Sequence, residues 1–208
     1  MIPWGSLFAF KPIDRARFTR KGICIMNKNV KRMSIVGVLS ALSVVLMIFP
    51  KFPVIPAFPF LEVDFSDIPA LLTSAVISPG LGVLIVLVKN AIHLIMTSTG
   101  GVGELSNFLC GAAYVLGFGI TFRFLRLCNK YLHLAVCLVI GAVTQIFAAV
   151  LGNYFLMIPL YHIEAAAASY ILGGVIPFNI VKDVLVAVVF AAVYIYIYPH
   201  LAKYVSKD

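Results

Sequence analysis

The sequence predicts an all-α integral membrane protein, a single bundle of six transmembrane helices with both termini in the cytoplasm. Hydrophobic residues make up 62% of the 208-residue chain, charged residues only 12%, and the mean hydropathy is +1.05. A water-soluble fold of this length cannot bury that much apolar surface, and the composition also excludes a disordered, collagenous or disulfide-rich chain. A membrane bundle remains, in which each helix needs roughly 20 apolar residues to span.

Six apolar segments account for the predicted helices, and prolines, glycines or charged residues separate them. Four prolines within residues 50–59 forbid a continuous helix after the first segment. Ser66 or Asp67 is the expected N-cap of the second segment, and Pro79 with Gly80 ends it. The six segments cover residues 34–50, 67–78, 81–97, 105–125, 132–158 and 174–198.

The basic residues predict the orientation of these helices. Most of the 16 lysines and arginines lie in the first 33 residues, in the connector between the fourth and fifth segments, or in the tail. The positive-inside rule places these parts in the cytoplasm. We therefore expect a basic N-terminal extension (1–33), a six-helix transmembrane domain (34–199) and a cytoplasmic tail (200–208). The chain has a net charge of +8, and its basic residues lie mostly beside the apolar segments. This distribution indicates membrane orientation rather than nucleic-acid binding.

The connectors on the opposite face predict a binding site that opens outward. Irregular backbone at membrane depth is tolerated only where it is buried or lines a cavity. Glu62 lies between Leu61 and Val63, and this apolar setting makes it the best ligand candidate among the acids of these connectors. A solvated loop acid is the alternative for Glu62 and Asp64, and a helix cap is the expected role of Asp67. The acids are Glu62, Asp64, Asp67, Glu104 and Glu164.

Polar residues inside the apolar segments are the other candidates for a binding site. Lys182 lies about five residues into the sixth helix, and Asn179 shares its helix face. Intramembrane charges are costly and usually face an interior or a cavity, although snorkelling or a pair with Asp183 would also explain this lysine. Asn153 lies near the outer end of the fifth segment, where its amide can bind a heterocycle edge or another helix.

The remaining motifs do not indicate catalysis or a metal site. Lys89 and His93 face the same way on the third segment, and a polar seam between helices explains them as well as a ligand does. The loop TSTGGVGE lacks the GK[ST] ending of a nucleotide-hydrolysing loop. His93 with Glu104 is the best pair for an intramembrane enzyme, but a loop separates them. A channel or scaffold would leave the acidic, aromatic connectors unexplained.

Four blocks of the sequence together resemble a known family, the riboflavin-specific S components of energy-coupling factor (ECF) transporters. The similarity runs over about residues 34–199, nearly the whole chain apart from the basic extension. The blocks are LEVDFSDIPALL, KNAIHLIMTSTGGVGELSNFLCG, GNYFLMIPLY and PFNIVKD.

The resemblance implies a site for riboflavin and the residues that bind it. Polar contacts would come from Glu62, Asn153, Asn179 and Lys182, with apolar walls from Phe58, Leu61 and Val63. Amides suit the alternating donors and acceptors of the flavin edge, and apolar side chains suit its face. Riboflavin would be cargo, so no cofactor is expected. Another vitamin, such as thiamine, pantothenate or a pterin, is the alternative, as is FMN, whose phosphate Lys182 could meet.

The resemblance also implies partners and a location. Members of the family are six-helix proteins without ATPase activity. They dock on one transmembrane coupling protein and two ATP-binding cassette subunits, and topple within the lipid bilayer to release their vitamin. Gly37 and Ala41 would form the docking surface on the first helix, with glycine in place of one of the usual alanines. The chain would be a multi-pass protein of a bacterial, Gram-positive, cell membrane.

Overall fold

The computed structural model describes residues 28–56, 58, 61–96, 101–161 and 167–206. Most of the predicted N-terminal extension, at residues 1–27, and the connector acid Glu164 lie outside the described residues. Helices dominate the rest of the chain, with a single two-stranded antiparallel sheet in the connector after the first helix. Within the described residues, the π-helical turns Asn153–Met157 and Ile171–Val175 join neighbouring helices without a break.

The helices follow the predicted segments closely. The first begins at Lys28, earlier than expected, because no proline or glycine interrupts the residues before Gly37. The helices are α1 (Lys28–Ile48), α2 (Asp67–Val76), α3 (Pro79–Leu94), α4 (Val102–Phe124), α5 (Lys130–Gly152), α6 (Ile158–Tyr161), α7 (Ala167–Tyr170), α8 (Ile176–Tyr196) and α9 (Tyr198–Ser206). The strands are β1 (Phe52–Pro53) and β2 (Glu62–Val63), in which Phe52 is opposite Val63.

Four helical segments of the described chain are long and apolar enough to cross a membrane: 29–48, 102–124, 130–160 and 167–196. The two shorter apolar helices, α2 and α3, have 10 and 16 residues. Most of α2 is buried among its neighbours, and it contacts α1, α3, α4 and α8. The predominantly helical fold with candidate membrane-spanning helices is thus confirmed, whereas the count of six spans and the orientation of the termini stay predictions.

The core of the bundle depends on close contacts between α4, α5 and α8. Tyr114 and Phe118 of α4 are fully buried, and Phe118 meets the Phe190 ring edge-on with centroids 5.3 Å apart. On α5, Gly141 lies against Tyr114, because a Cβ at this glycine would be only 2.7 Å from the ring. This packing places the polar ends of α4, α5 and α8 beside one another, next to the connector that carries β1 and β2.

Candidate functional site

A cavity of about 400 Å³ lies where α3, α4, α5 and α8 meet the connector. Its volume falls within the usual range for small-molecule sites. Polar and charged side chains from distant parts of the chain converge on it, together with a few apolar ones. The lining residues are Met47, Lys51, Leu61, Glu62, Asp64, His93, Gly103, Glu104, Ser106, Asn107, Cys110, Gly111, Gln145, Asn153, Met157, Val175, Phe178, Asn179 and Lys182.

Two buried asparagines at the cavity are held in fixed orientations. Asn153 donates from Nδ2 to the Ala149 carbonyl (2.8 Å) and accepts at Oδ1 from the Tyr170 hydroxyl (2.8 Å). Asn179 donates to the Val175 carbonyl (2.8 Å) and accepts from Gln145 Nε2 (3.2 Å). An amide has two N–H donors and two acceptor lone pairs on its oxygen. Each asparagine therefore keeps a donor and an acceptor for a ligand while the protein fixes its orientation.

Lys182 lies at the same cavity, and its ammonium group is paired with acids from the connector region. Nζ is 3.3 Å from Asp64 Oδ2 and 3.5 Å from Asp67 Oδ2, and only 6% of the lysine side chain is exposed. Neither snorkelling nor a pair with Asp183 accounts for this lysine in the structure. The pair with Asp64 instead ties α8 to the connector across 118 residues of sequence, and the pair with Asp67 ties α8 to the start of α2.

Asp67 is an ionic partner of two lysines rather than a helix cap. Ser66 occupies the N-cap position of α2 and makes no capping hydrogen bond with its side chain. The Asp67 carboxylate lies 2.5 Å from Nζ of Lys89, which is completely buried. Lys89 also donates to Ser66 Oγ (2.5 Å). Of the two predicted N-cap residues, Ser66 holds the position, and the cap role expected for Asp67 was wrong because its partner lysine lies on another helix.

Asp64 completes the ionic cluster of Asp67, Lys89 and Lys182. It is buried, so the alternative that it is a solvated loop acid was wrong. Its Oδ1 accepts from the Ser66 backbone N–H (2.8 Å) and from the Ser66 hydroxyl. Burial alone would raise the pKa of this carboxyl, but Lys182, Lys89 and the hydrogen bonds from Ser66 outweigh it. The pKa of Asp64 is therefore held below its usual range, and the carboxylate stays charged.

A second set of charges runs from the exposed Glu62 to the buried Glu104 along the cavity. Glu62 Oε2 is 3.3 Å from Lys51 Nζ, which in turn lies 3.2 Å from His93 Nε2. His93 Nδ1 lies 3.0 Å from Glu104 Oε1. The Glu104 carboxylate can only accept, so Nδ1–H of His93 donates to it in this contact.

The structure brings together most of the predicted binding residues. Glu62, Leu61, Asn153, Asn179 and Lys182 all line the cavity.

The other predicted residues lie elsewhere. Phe58 packs edge-on against Tyr170, with ring centroids 5.6 Å apart, behind the described lining. Val63 is fully buried beside the cavity and does not belong to that lining. Gly37 and Ala41 lie on the exposed face of α1, away from the cavity, and a Cβ at Gly37 would meet nothing within 4 Å.

Sequence reasoning missed several residues of the site. Gln145 orients Asn179, and an amide in an otherwise apolar segment, eight residues before Asn153, is a signal that could have identified it. Asn107, which donates to Asn90 Oδ1 (3.0 Å), and Tyr170 carried no such signal. The sequence analysis considered His93 and Glu104 together only as a poor catalytic pair, whereas the structure shows them bonded to each other at the cavity.

Comparisons with known proteins agree with this geometry. The family model described as "ECF transporter, substrate-specific component" matches residues 31–194. The riboflavin transporter RibU of Staphylococcus aureus is 32% identical over 156 residues, which cover 72% of this chain and 79% of the relative. The riboflavin transporter FmnP of Bacillus subtilis is 31% identical over 191 residues, or 84% of this chain and 95% of the relative.

A solved structure of the S component of a bacterial ECF transporter has the same fold. Its TM-score is 0.70 at 33% sequence identity, and the match covers 85% of this chain and 98% of that chain. The family match extends over the helices that build the cavity. The chain therefore belongs to the substrate-specific components of ECF transporters.

Proposed function

We propose that this chain captures riboflavin in the cavity between α3, α4, α5 and α8 and delivers it across the membrane as the S component of an ECF importer. The observation that carries the proposal is the pair of oriented amides, Asn153 and Asn179, beside Lys182. These groups can meet the alternating donors and acceptors of the isoalloxazine edge. Relatives of this chain that carry the name riboflavin transporter support the choice of vitamin.

Leu61, Phe178 and Val175 supply apolar surface for the ring at the same cavity. Glu62 is the fourth polar contact, at the rim. Phe58 and Val63 support the wall from behind, since both are adjacent to the cavity without lining it. Burial of a flat aromatic system together with a few fixed hydrogen bonds is the usual composition of a tight small-molecule site.

Transport would depend on partners that hydrolyse ATP. A transmembrane coupling protein and two ATP-binding cassette subunits would drive uptake, while this chain binds the vitamin and performs no chemistry on it. The exposed face of α1 around Gly37 and Ala41 is the proposed docking surface, since small residues allow another helix to approach closely. The helices would make six membrane passes in a bacterial, Gram-positive, cell membrane, with both termini in the cytoplasm.

The charges at the cavity affect the choice between vitamins. Lys182 is paired with two aspartates, so it does not by itself repel a cationic vitamin such as thiamine. Thiamine is therefore included as a competitor in the binding experiment. The account predicts that riboflavin binds and that thiamine fails to displace it, because thiamine lacks the fused ring system and its edge.

The experiment is an absorbance spectrum of the detergent-purified protein, followed by a titration that follows quenching of riboflavin fluorescence. We expect saturable binding of one riboflavin per chain at nanomolar concentration, which corresponds to about −12 kcal/mol. Asn153→Leu should weaken binding by about tenfold or more, because it removes the amide without removing bulk. Asn129→Ala is the matched control, since it removes a helix cap at the other end of α5. A colourless protein without quenching would contradict the proposal.

A further inference from the structure

We infer that Asn107 is a further ligand-binding residue, whose amide oxygen accepts a hydrogen bond from a hydroxyl group of the ribityl chain. The inference rests on the proposed function, because it concerns how the same cavity holds the part of riboflavin outside the ring. Asn107 lies on α4, is half-buried and lines the cavity. It is not among the four polar contacts proposed above.

A backbone carbonyl fixes the orientation of the Asn107 amide through one intervening side chain. The Val86 carbonyl can only accept, so Asn90 on α3 turns its Nδ2 toward that oxygen, at 2.8 Å. The Asn90 Oδ1 then points toward Asn107 and accepts from its Nδ2 at 3.0 Å. A flipped Asn107 would place two amide oxygens against each other. The orientation of Asn107 therefore follows from that of Asn90.

The oriented amide of Asn107 keeps an acceptor for a ligand. Its Nδ2 uses one of two N–H donors for Asn90, and among the described residues no hydrogen bond reaches its Oδ1. An amide oxygen can accept two hydrogen bonds. Asn90 is buried, with 4% exposed, and does not line the cavity. Asn107 is therefore the end of this pair that a ligand can reach, and it presents an oxygen.

The described lining divides into an apolar wall and a polar wall, and Asn107 belongs to the polar one. The larger apolar side chains come from α1, the connector, the π-helical turns and α8: Met47, Leu61, Met157, Val175 and Phe178. The helices α3 and α4 contribute small or polar residues: His93, Gly103, Glu104, Ser106, Asn107, Cys110 and Gly111. A flat apolar ring gains most from the apolar wall, whereas a polyol needs hydrogen-bond partners.

The amides proposed for the ring edge lie on the apolar side of the cavity. Asn153 belongs to the same π-helical turn as Met157, and Asn179 follows Phe178 on α8. With the ring held there, the ribityl chain is the part of the ligand that remains to meet α3 and α4. Each ribityl hydroxyl can both donate and accept, so a hydroxyl can donate to Asn107 Oδ1.

Lumiflavin is the ligand that isolates this contact. It has the ring and the imide edge of riboflavin, but a methyl group replaces the ribityl chain. A hydrogen bond between neutral groups changes a dissociation constant by about fivefold. Because only riboflavin can make the contact with Asn107, the ratio of the lumiflavin to the riboflavin dissociation constant measures it.

The test measures both dissociation constants by fluorescence quenching and compares their ratio between variants of the purified protein. Asn107→Leu removes the amide and keeps a similar bulk, and it should lower the ratio by about fivefold. Asn153→Leu is the matched control at the ring edge. It should weaken both ligands by a similar factor and leave the ratio near that of the unmodified protein. A loss of folded protein affects both ligands equally and cancels in the ratio.

An unchanged ratio in Asn107→Leu overturns the inference, even where both ligands bind more weakly, because equal weakening indicates a contact with the ring or a structural role. The unmodified protein gives a second check that needs no variant. It should bind lumiflavin at least about fivefold more weakly than riboflavin, and equal affinities would overturn the inference. Absence of riboflavin binding by the unmodified protein would contradict the proposed function instead, so the two failures are distinguishable.

Discussion

Replacement of Lys182 by methionine should destabilise the protein, because it leaves the buried Asp64 carboxylate without its closest cation. At the observed 3.3 Å, the direct attraction is about 5 kcal/mol for an effective dielectric constant of about 20, and the desolvation of both charges offsets much of it. Removal of one partner alone typically costs about 3 kcal/mol or more, since the other charge stays buried. Asp67 is less affected, because Lys89 remains 2.5 Å from it.

A double-mutant cycle measures this coupling. The free energy of unfolding in detergent, without flavin, is compared for Lys182→Met, Asp64→Asn and the double variant. The double variant should be more stable than the sum of the single effects predicts, by about 1–3 kcal/mol. Arg126→Met, at an exposed position between α4 and α5, serves as the control and should change stability by less than about 0.5 kcal/mol. Strict additivity of the two single substitutions would refute the interpretation of this pair.

Three further predictions concern the ligand, the packing and the docking surface. Asn179→Leu should raise the dissociation constant for riboflavin by about 30-fold in the quenching titration, because it removes about two hydrogen bonds to the ligand. An unchanged dissociation constant would exclude this residue from the site. Gly141→Ala should lower the free energy of unfolding by about 1–3 kcal/mol, because its Cβ would lie 2.7 Å from the Tyr114 ring, whereas Gly37→Ala should not lower it. Ala41→Trp should leave riboflavin affinity unchanged and reduce ATP-driven uptake in proteoliposomes that contain the coupling module; normal uptake would exclude this docking face.

The sequence was a good guide to the helices and to the depth of individual polar residues. Hydropathy located every major helix, because the apolar segments are long and are separated by prolines, glycines or charged residues. The same reasoning placed Asn153, Asn179 and Lys182 at similar depth, and the structure places all three at one cavity. The depth of a residue could be predicted because the rise per residue of a helix is constant.

The partners of those residues were much harder to predict. Lys182 pairs with Asp64, which is 118 residues away in sequence, rather than with the neighbouring Asp183. A pairing between elements depends on how the helices are arranged in the bundle, and the pattern of one segment contains no information about it. The same reason explains Asp67: capping is a local role and can be read from sequence, whereas its ion pair with Lys89 is a tertiary contact.

The short helices show a second limit of sequence reasoning. Residues 67–78 and 81–97 are apolar, and both were assigned as membrane spans. In the structure most of α2 is surrounded by other helices, so its apolar character reflects burial in the bundle as much as contact with lipid. Hydropathy alone cannot distinguish these two environments for a helix of 10 residues.

A crystal structure of the protein with riboflavin bound tests the central claim most directly. The account predicts density for the isoalloxazine ring in the cavity, with its pyrimidine-like edge within hydrogen-bonding distance of Asn153 and Asn179. Density for the ring at another place in the bundle, or a ring in this cavity without contact to either asparagine, would contradict it.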